Sequence, residues 1–403
     1  MAKILVVNRR VPWPLQDGNS LRVFQLAKHL DPAHACHLAC LHNAPAGLAE
    51  LREQGVFRTI TLLPPFPERR HWLRHLRRAD KDYHRFAYPR FFATVVRALQ
   101  DLVDREAIDI VVATLTICEE FVRPLRGVVK VLDQYDSATL ALERDRDAER
   151  DLTPVQRLRR RRQLRRLQAL ESQLEQRCDL VTAISPPDQT RLQALNPHGP
   201  PVRLVPNGVD AALLRLEPTT EPAERSVAFW GNLSFPVNRL AIDYFYRKIW
   251  LPWLQPAGVR WAIVGPHAGV ALQAMANQHP DIELPGFVDD LFGHLARYPV
   301  MVNPMRNGTG LKNKVLEAMA AGKAVVSTSL GVDAFPFRDG VHGRLADNDG
   351  DFAAAVLELL DHPQQRQILI AGARDLVRSR YTWEAVGSLW SDILAYAGGV
   401  QSR

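Results

Sequence analysis

The sequence predicts an α/β chain of two domains, each a parallel sheet covered by helices on both faces. Strand-like apolar runs alternate with longer helical patterns throughout, the pattern restarts after a polar break near the middle, and the two halves open alike. Strands buried on both faces read as near-continuous apolar runs. In the first half these are "KILVVN", "HLACLH", "IDIVVAT", "GVVKVLDQYD" and "DLVTAIS"; in the second they are "SVAFW", "VRWAIVG", "YPVMVNP", "KAVVSTS" and "GRLA". The break is "LEPTTEPAERS", Leu216–Ser226, rich in Pro, Thr and Glu as a solvated linker is. Both "KILVVNRRVPWPLQDGNSLRVFQLAKHL" and "SVAFWGNLSFPVNRLAIDYFYRKIW" run strand, Gly/Asn/Pro loop, helix. Ligands of open α/β sheets bind beyond the carboxyl ends of the strands, so two such domains facing each other enclose a cleft. The loops after strands are therefore where chemistry is expected.

Composition fits a globular chain: 403 residues, 46% apolar and 24% charged. The net charge of +7 points to anionic partners without choosing among nucleotide phosphates, acidic lipids and nucleic acid. Cys36, Cys40, Cys118 and Cys178 show no CxxC spacing and read as reduced thiols. "MAKILVVNRR" is too short for a secretory signal, and no run of about 20 apolar residues occurs. The expectation is a cytoplasmic protein, soluble or peripheral on the inner face of a membrane.

Basic residues concentrate in "RRHWLRHLRRADK", Arg69–Lys81, and "RLRRRRQLRRLQAL", Arg157–Leu170. In the first, Trp72, Leu73 and Leu76 cluster on one side, as in a helix lying on an anionic membrane surface. The second has arginine on nearly every side and reads equally as a solvated face. Arginine-rich helices also bind phosphate backbones, but no nucleic-acid module accompanies these, and no nucleic acid is expected. "DRD" at Asp145–Asp147 and "DNDGD" at Asp347–Asp351 resemble metal-binding aspartates. A calcium loop counted from Asp347 would need glycine where Phe352 stands, so Asp349 or Asp351 is expected as a helix cap and no metal site is assigned.

The most informative stretch is "NGTGLKNKVLEAMAAGK", Asn307–Lys323. A strand ends at Pro304, a glycine loop follows, and the spacing predicts a helix from about Leu311 to Ala321. Free helix-start amides near Gly310 attract an anion, Gly308 and Gly310 allow close approach, and Lys312 and Lys314 add positive charge. Gly310, Asn313, Lys314 and Glu317 share one face, while Leu311, Val315 and Met319 share a core face. A diphosphate at the mouth would leave Glu317 near the height of an attached ribose. The alternative is a surface ion pair between Lys314 and Glu317, with the glycines as turn residues.

In this order, "VRLVPNGVD" (Val202–Asp210), "VAFWGNLSFPVNRLAIDYF", the block from "GFVDD" to "AVVST" and the closing "DLVRSRYTWEAVGSLW" resemble GT-B glycosyltransferases. The likeness is to the large retaining group that includes sucrose synthases and bacterial exopolysaccharide and lipopolysaccharide transferases; "PWPLQDG" and "DQYDS", Asp133–Ser137, are similar to segments of its exopolysaccharide members. The resemblance implies two Rossmann-like domains facing across a cleft. Residues 1–205 would form the acceptor-side domain, joined by a returning helix, 383–403, and residues 206–382 would bind the nucleotide sugar.

It also implies a metal-independent transferase, needing no cofactor, that moves a sugar with retention from a UDP- or GDP-linked donor to a polysaccharide or lipid-linked acceptor. The ribose contact carries over to Glu317. Many members place a second glutamate eight positions earlier, where this chain has Thr309, so donor-sugar recognition departs there. After the first strand of the second domain, many relatives place Arg and Lys for the diphosphate. This chain offers Asn232, Asn238 and Arg239, so Lys312, Lys314 and Arg306 are expected to supply the charge. Gly18 and Asn19 fit the loop reaching toward the substrates, their plainer reading being a turn with Ser20 as N-cap. Gly265 and the "GFVDD" loop fit base selection. Catalysis by resemblance rests on Lys314 and amides at the leaving group, with Asp133 or Asp136 as candidate bases. A 2-epimerase of the same fold, or a silent sugar-nucleotide-binding subunit suggested by Thr309, are the alternatives.

Overall fold

The computed structural model describes residues 2–41, 47–65, 83–145, 152–174, 178–217 and 225–400. The basic stretch Arg69–Lys81, the last two residues of the "DRD" pattern (Arg146 and Asp147) and the centre of the linker, 218–224, lie outside the described residues. The chain divides into two compact units, 1–206 with 383–403, and 207–382.

The first unit holds a seven-stranded parallel sheet of β1 (Lys3–Asn8), β2 (Ala35–Cys40), β3 (Thr59–Leu62), β4 (Ile110–Thr114), β5 (Val129–Tyr135), β6 (Leu180–Ala183) and β7 (Val202–Leu204). Its order is β3-β2-β1-β4-β5-β6-β7. Alternate residues face opposite cores, as a pleated strand dictates. Leu5 and Val7 pack with Val111, Ala113 and the helix Pro89–Glu106, whereas Ile4 and Val6 pack with Ile110, Val112 and the helix Gly18–Lys28. The second of these cores also takes Trp383, Val386, Trp390 and Leu394, so the helix Trp383–Val400 belongs to this unit. A Cβ on Gly387 would lie 2.2 Å from the His29 carbonyl oxygen, and only glycine allows that helix to pack so closely.

The second unit repeats the plan with β8 (Ser226–Trp230), β9 (Arg260–Val264), β10 (Ile282–Gly286), β11 (Val300–Asn303), β12 (Ala324–Ser327) and β13 (Arg344–Leu345), ordered β10-β9-β8-β11-β12-β13, again all parallel. In both sheets the order reverses beside the first strand, between β1 and β4 and between β8 and β11. Such switch points open a crevice at the strand ends and locate ligand sites in this fold.

Every strand expected from the sequence is present, and β3, β7 and β10 are additions. All three are sheet edges. β3 is half-buried along its whole length, β7 has three residues, and β10 carries Pro285 and a register shift between Glu283 and Gly286. Edge strands need not be apolar on both faces, so the signal that revealed the central strands is weak there.

Candidate functional site

The switch point of the second unit brings together the loop after β8, the glycine loop after β11 and the helix Asn313–Ala320. That helix starts two residues later than its spacing predicts. Gly310 sits at φ +68° and Lys312 is extended at φ −88°, ψ 92°, so the chain is still a loop at Leu311. No side chain caps the helix. Its first amides are thus not taken by a cap, the condition an anion needs at a helix N-terminus. Lys312 is not a mobile charge at the mouth: its ammonium donates to the carbonyls of Thr309 (2.9 Å) and Gly310 (3.1 Å), and the residue is buried. It braces the glycine loop from within.

Lys314 and Glu317, one turn apart and both half-buried, are held by different partners. The Lys314 ammonium donates to Asn238 Oδ1 at 2.7 Å and lies 4.0 Å from the centroid of the Phe229 ring. Glu317 Oε2 accepts from the indole N–H of Trp230 at 2.9 Å. Burial pushes the Lys314 ammonium down to about 7, Glu317 pulling it up and Lys312 pushing it down. Burial raises the Glu317 carboxyl, with the Trp230 hydrogen bond and Lys314 opposing. A surface ion pair would show neither shift nor separate partners. Asn238 also donates to the Asn232 carbonyl at 2.8 Å, fixing the loop after β8, and Asn207 of the "PNGVD" segment donates to Asn313 Oδ1 at 3.0 Å.

Two glycines make the geometry possible. Gly231, at φ +143°, lets the chain turn directly after Trp230, and a Cβ there would stand 3.5 Å from the Lys314 nitrogen. Gly265, at φ +149°, has no room for one: it would lie 1.9 Å from the Gly231 carbonyl oxygen. The loops after β8 and β9 meet backbone to backbone for that reason. Thr309 is half-buried within the glycine loop. Arg239 is exposed on the helix Pro236–Phe245. Arg306, expected to add charge at the mouth, instead lies 4.8 Å from the Tyr244 ring centroid and donates to the Asp347 carbonyl at 3.1 Å.

In the first unit, Gly18 opens the helix Gly18–Lys28, and the cap is Asp17, not Ser20. Asp17 is extended at φ −129° and its Oδ1 accepts the amides of Asn19 and Ser20, both at 3.1 Å. Asn19 donates to the Tyr135 hydroxyl at 2.9 Å. Asp133, a candidate base, is 2% exposed, and both of its oxygens are engaged. Arg22 grips it through Nε and Nη2, each at 2.8 Å, and Thr182 Oγ1 donates to it at 2.6 Å. This geometry gives Asp133 a structural task and leaves half-buried Asp136 as the remaining candidate. The cap near the acidic run is likewise Asn348, extended and accepting from the Asp351 amide, not Asp349 or Asp351. Among the described residues, no three His, Cys, Asp or Glu side chains cluster as metal ligands.

Local spacing in the sequence marks the glycines, Lys314 and Glu317, whereas the parts played by Trp230 and Phe229 emerge only in the folded chain. The available signal was the aromatic pair ending a strand directly before a glycine, "AFWG".

Residues 224–362 match the family described as Glycosyl transferases group 1. The chain is similar over 98% of its length to Anabaena HepE in complex with UDP (all of that chain, TM-score 0.68, 16% identity). Over 99% it is similar to sucrose-phosphate synthase from Thermosynechococcus elongatus (all of that chain, TM-score 0.71, 15% identity). Over 98% it is similar to a variant of S. aureus TarM in complex with Fondaparinux, alpha-GlcNAc-glycerol and UDP (99% of that chain, TM-score 0.69, 12% identity). No curated protein sequence matches significantly. The fold is that of the GT-B structures, two doubly wound units, and the segment matched by the family lies within the second.

Proposed function

We propose that the protein transfers a sugar, with retention and without a metal ion, from a UDP- or GDP-linked donor to a glycan or lipid-linked acceptor in bacterial exopolysaccharide or cell-surface glycan synthesis. The observation that carries this reading is the separation of Lys314 from Glu317. A cation kept off its neighbouring carboxylate remains available to a diphosphate, and the carboxylate remains available to ribose hydroxyls. UDP in the HepE and TarM complexes favours UDP over GDP.

As the sugar–phosphate bond loosens, charge grows on the departing diphosphate, where Lys314 and the uncapped helix amides are already placed to stabilise it. The acceptor hydroxyl attacks from the same face and gives its proton to a phosphate oxygen or to Asp136. Incubating UDP- and GDP-sugars with and without acceptors tests the reading, with NMR reporting anomeric configuration and EDTA probing metal need. Release of sugar with retained configuration in EDTA is expected. Nucleotide binding with no sugar release under any condition points to a silent subunit, and a changed sugar still attached to its nucleotide points to an epimerase.

The helix Pro154–Glu171 leaves Arg157, Arg159, Arg161, Arg162, Arg165 and Arg166 exposed, together with Val155 and Leu158. No described helix is long and apolar enough to cross a membrane. We read this arginine face as a contact for the inner membrane surface, where a lipid-linked acceptor would lie. Sedimentation with anionic vesicles at low salt is expected; its absence at low salt overturns this part of the reading.

A further inference from the structure

The two charged side chains of the donor helix rest on consecutive residues of β8: Lys314 on Phe229, Glu317 on Trp230. We propose that Trp230 is a positioning residue that sets the site's selectivity for an intact ribose, an inference resting on the nucleotide-binding reading above.

An indole N–H donates and cannot accept, so Trp230 can engage Glu317 only through a carboxylate oxygen. It takes Oε2. The carboxyl group is thereby oriented and Oε1 is left for a ligand. The indole itself has little freedom: Trp230 is 3% exposed, its ring meets Phe292 edge to face at 6.5 Å, and Gly231 turns the chain away immediately after it. Without the N–H, the nearest strong partner for Glu317 on its own helix is Lys314, three residues back. A pair between them would use up both groups that the ligand needs. Trp230 therefore orients the carboxylate and keeps it off the lysine.

Trp230→Phe keeps an aromatic ring against Phe292 and deletes the donor. Calorimetric titration with UDP, GDP and the 2′-deoxy form of each reads the effect. The wild type is expected to prefer the ribose form, and Trp230→Phe to bind it about tenfold more weakly, the loss of one charge-assisted hydrogen bond's orienting effect. The 2′-deoxy forms are expected to bind both proteins alike, so that the preference collapses. Because the Trp230 N–H favours the ionised carboxylate, the acid limb of binding is also expected to move to higher pH in Trp230→Phe, a shift that lost packing would not produce. An unchanged ribose preference, or an unmoved acid limb, overturns the proposal while the nucleotide-binding reading stands. Failure of the wild type to bind either diphosphate overturns both. Trp230→His, which retains a ring N–H donor, is expected to recover part of the preference; if Trp230→Phe is too unstable to titrate, no recovery in Trp230→His relative to Trp230→Leu overturns the proposal.

Discussion

The two units share a sheet order, yet the charges at their strand ends are arranged in opposite ways. In the first, Arg22 and Asp133 are paired with each other, 1% and 3% exposed in their side chains, with Thr182 and the Pro206 carbonyl completing the set. In the second, Lys314 and Glu317 are within reach of each other's field but bonded to Asn238 and Trp230. A pair that neutralises itself fixes the fold and offers a ligand little. Charges held apart by neutral groups carry a desolvation cost that an oppositely charged or hydroxylated ligand can relieve.

Breaking the first arrangement is expected to have the largest effect. Asp133→Ala strands the buried Arg22 guanidinium, and urea denaturation should show a loss of about 3–5 kcal/mol in the unit that contains it. The same operation in the second unit should act on binding instead. Lys314→Ala is expected to weaken nucleoside diphosphate binding roughly 100-fold, about 2.7 kcal/mol. It should leave the ligand-free melting temperature no lower, because the charge removed has no carboxylate bonded to it. A drop in stability comparable with that of Asp133→Ala would erase the contrast.

Titration sharpens it further. Burial lowers the Lys314 ammonium to about 7 in the folded, ligand-free protein, so it is charged below that pH and neutral above it. A diphosphate prefers the charged form. On the alkaline side, affinity should therefore fall as pH rises above about 7, by up to about tenfold per unit. Lys314→Arg, whose guanidinium stays charged, should lose that alkaline limb in titration calorimetry. The unfolded chain keeps this proton to higher pH than the folded one, so the same group makes the ligand-free protein more stable as pH rises from neutrality. The smallest effect is expected at Thr309. The loop is braced through its carbonyl, which every residue carries, so Thr309→Ala should change donor hydrolysis by less than about tenfold, about 1.4 kcal/mol, while altering the ratio between UDP-sugars.

Much of the second site was legible because its signals are local. Gly308, Gly310, Lys314 and Glu317 lie within ten residues, and their meaning follows from backbone freedom and helical spacing. The exact helix start was not legible, since the left-handed Gly310 and the inward turn of Lys312 depend on carbonyls that only the folded loop presents. At Arg306 the residue type suggested a free cation, but Tyr244, far off in sequence, holds it.

The sequence by itself determined the fold class and its central strands, because burial on both faces leaves an apolar run that needs no partner to be read. It also determined the glycine loop and the helix that follows. Only the tertiary structure decided the strand order, the edge strands and which charges are paired with one another. Asp133 meets Arg22 across 111 residues, and Glu317 meets Trp230 across 87. Those pairings follow from parallel strands brought side by side by crossover helices, and periodicity along one segment carries no record of what lies beside it.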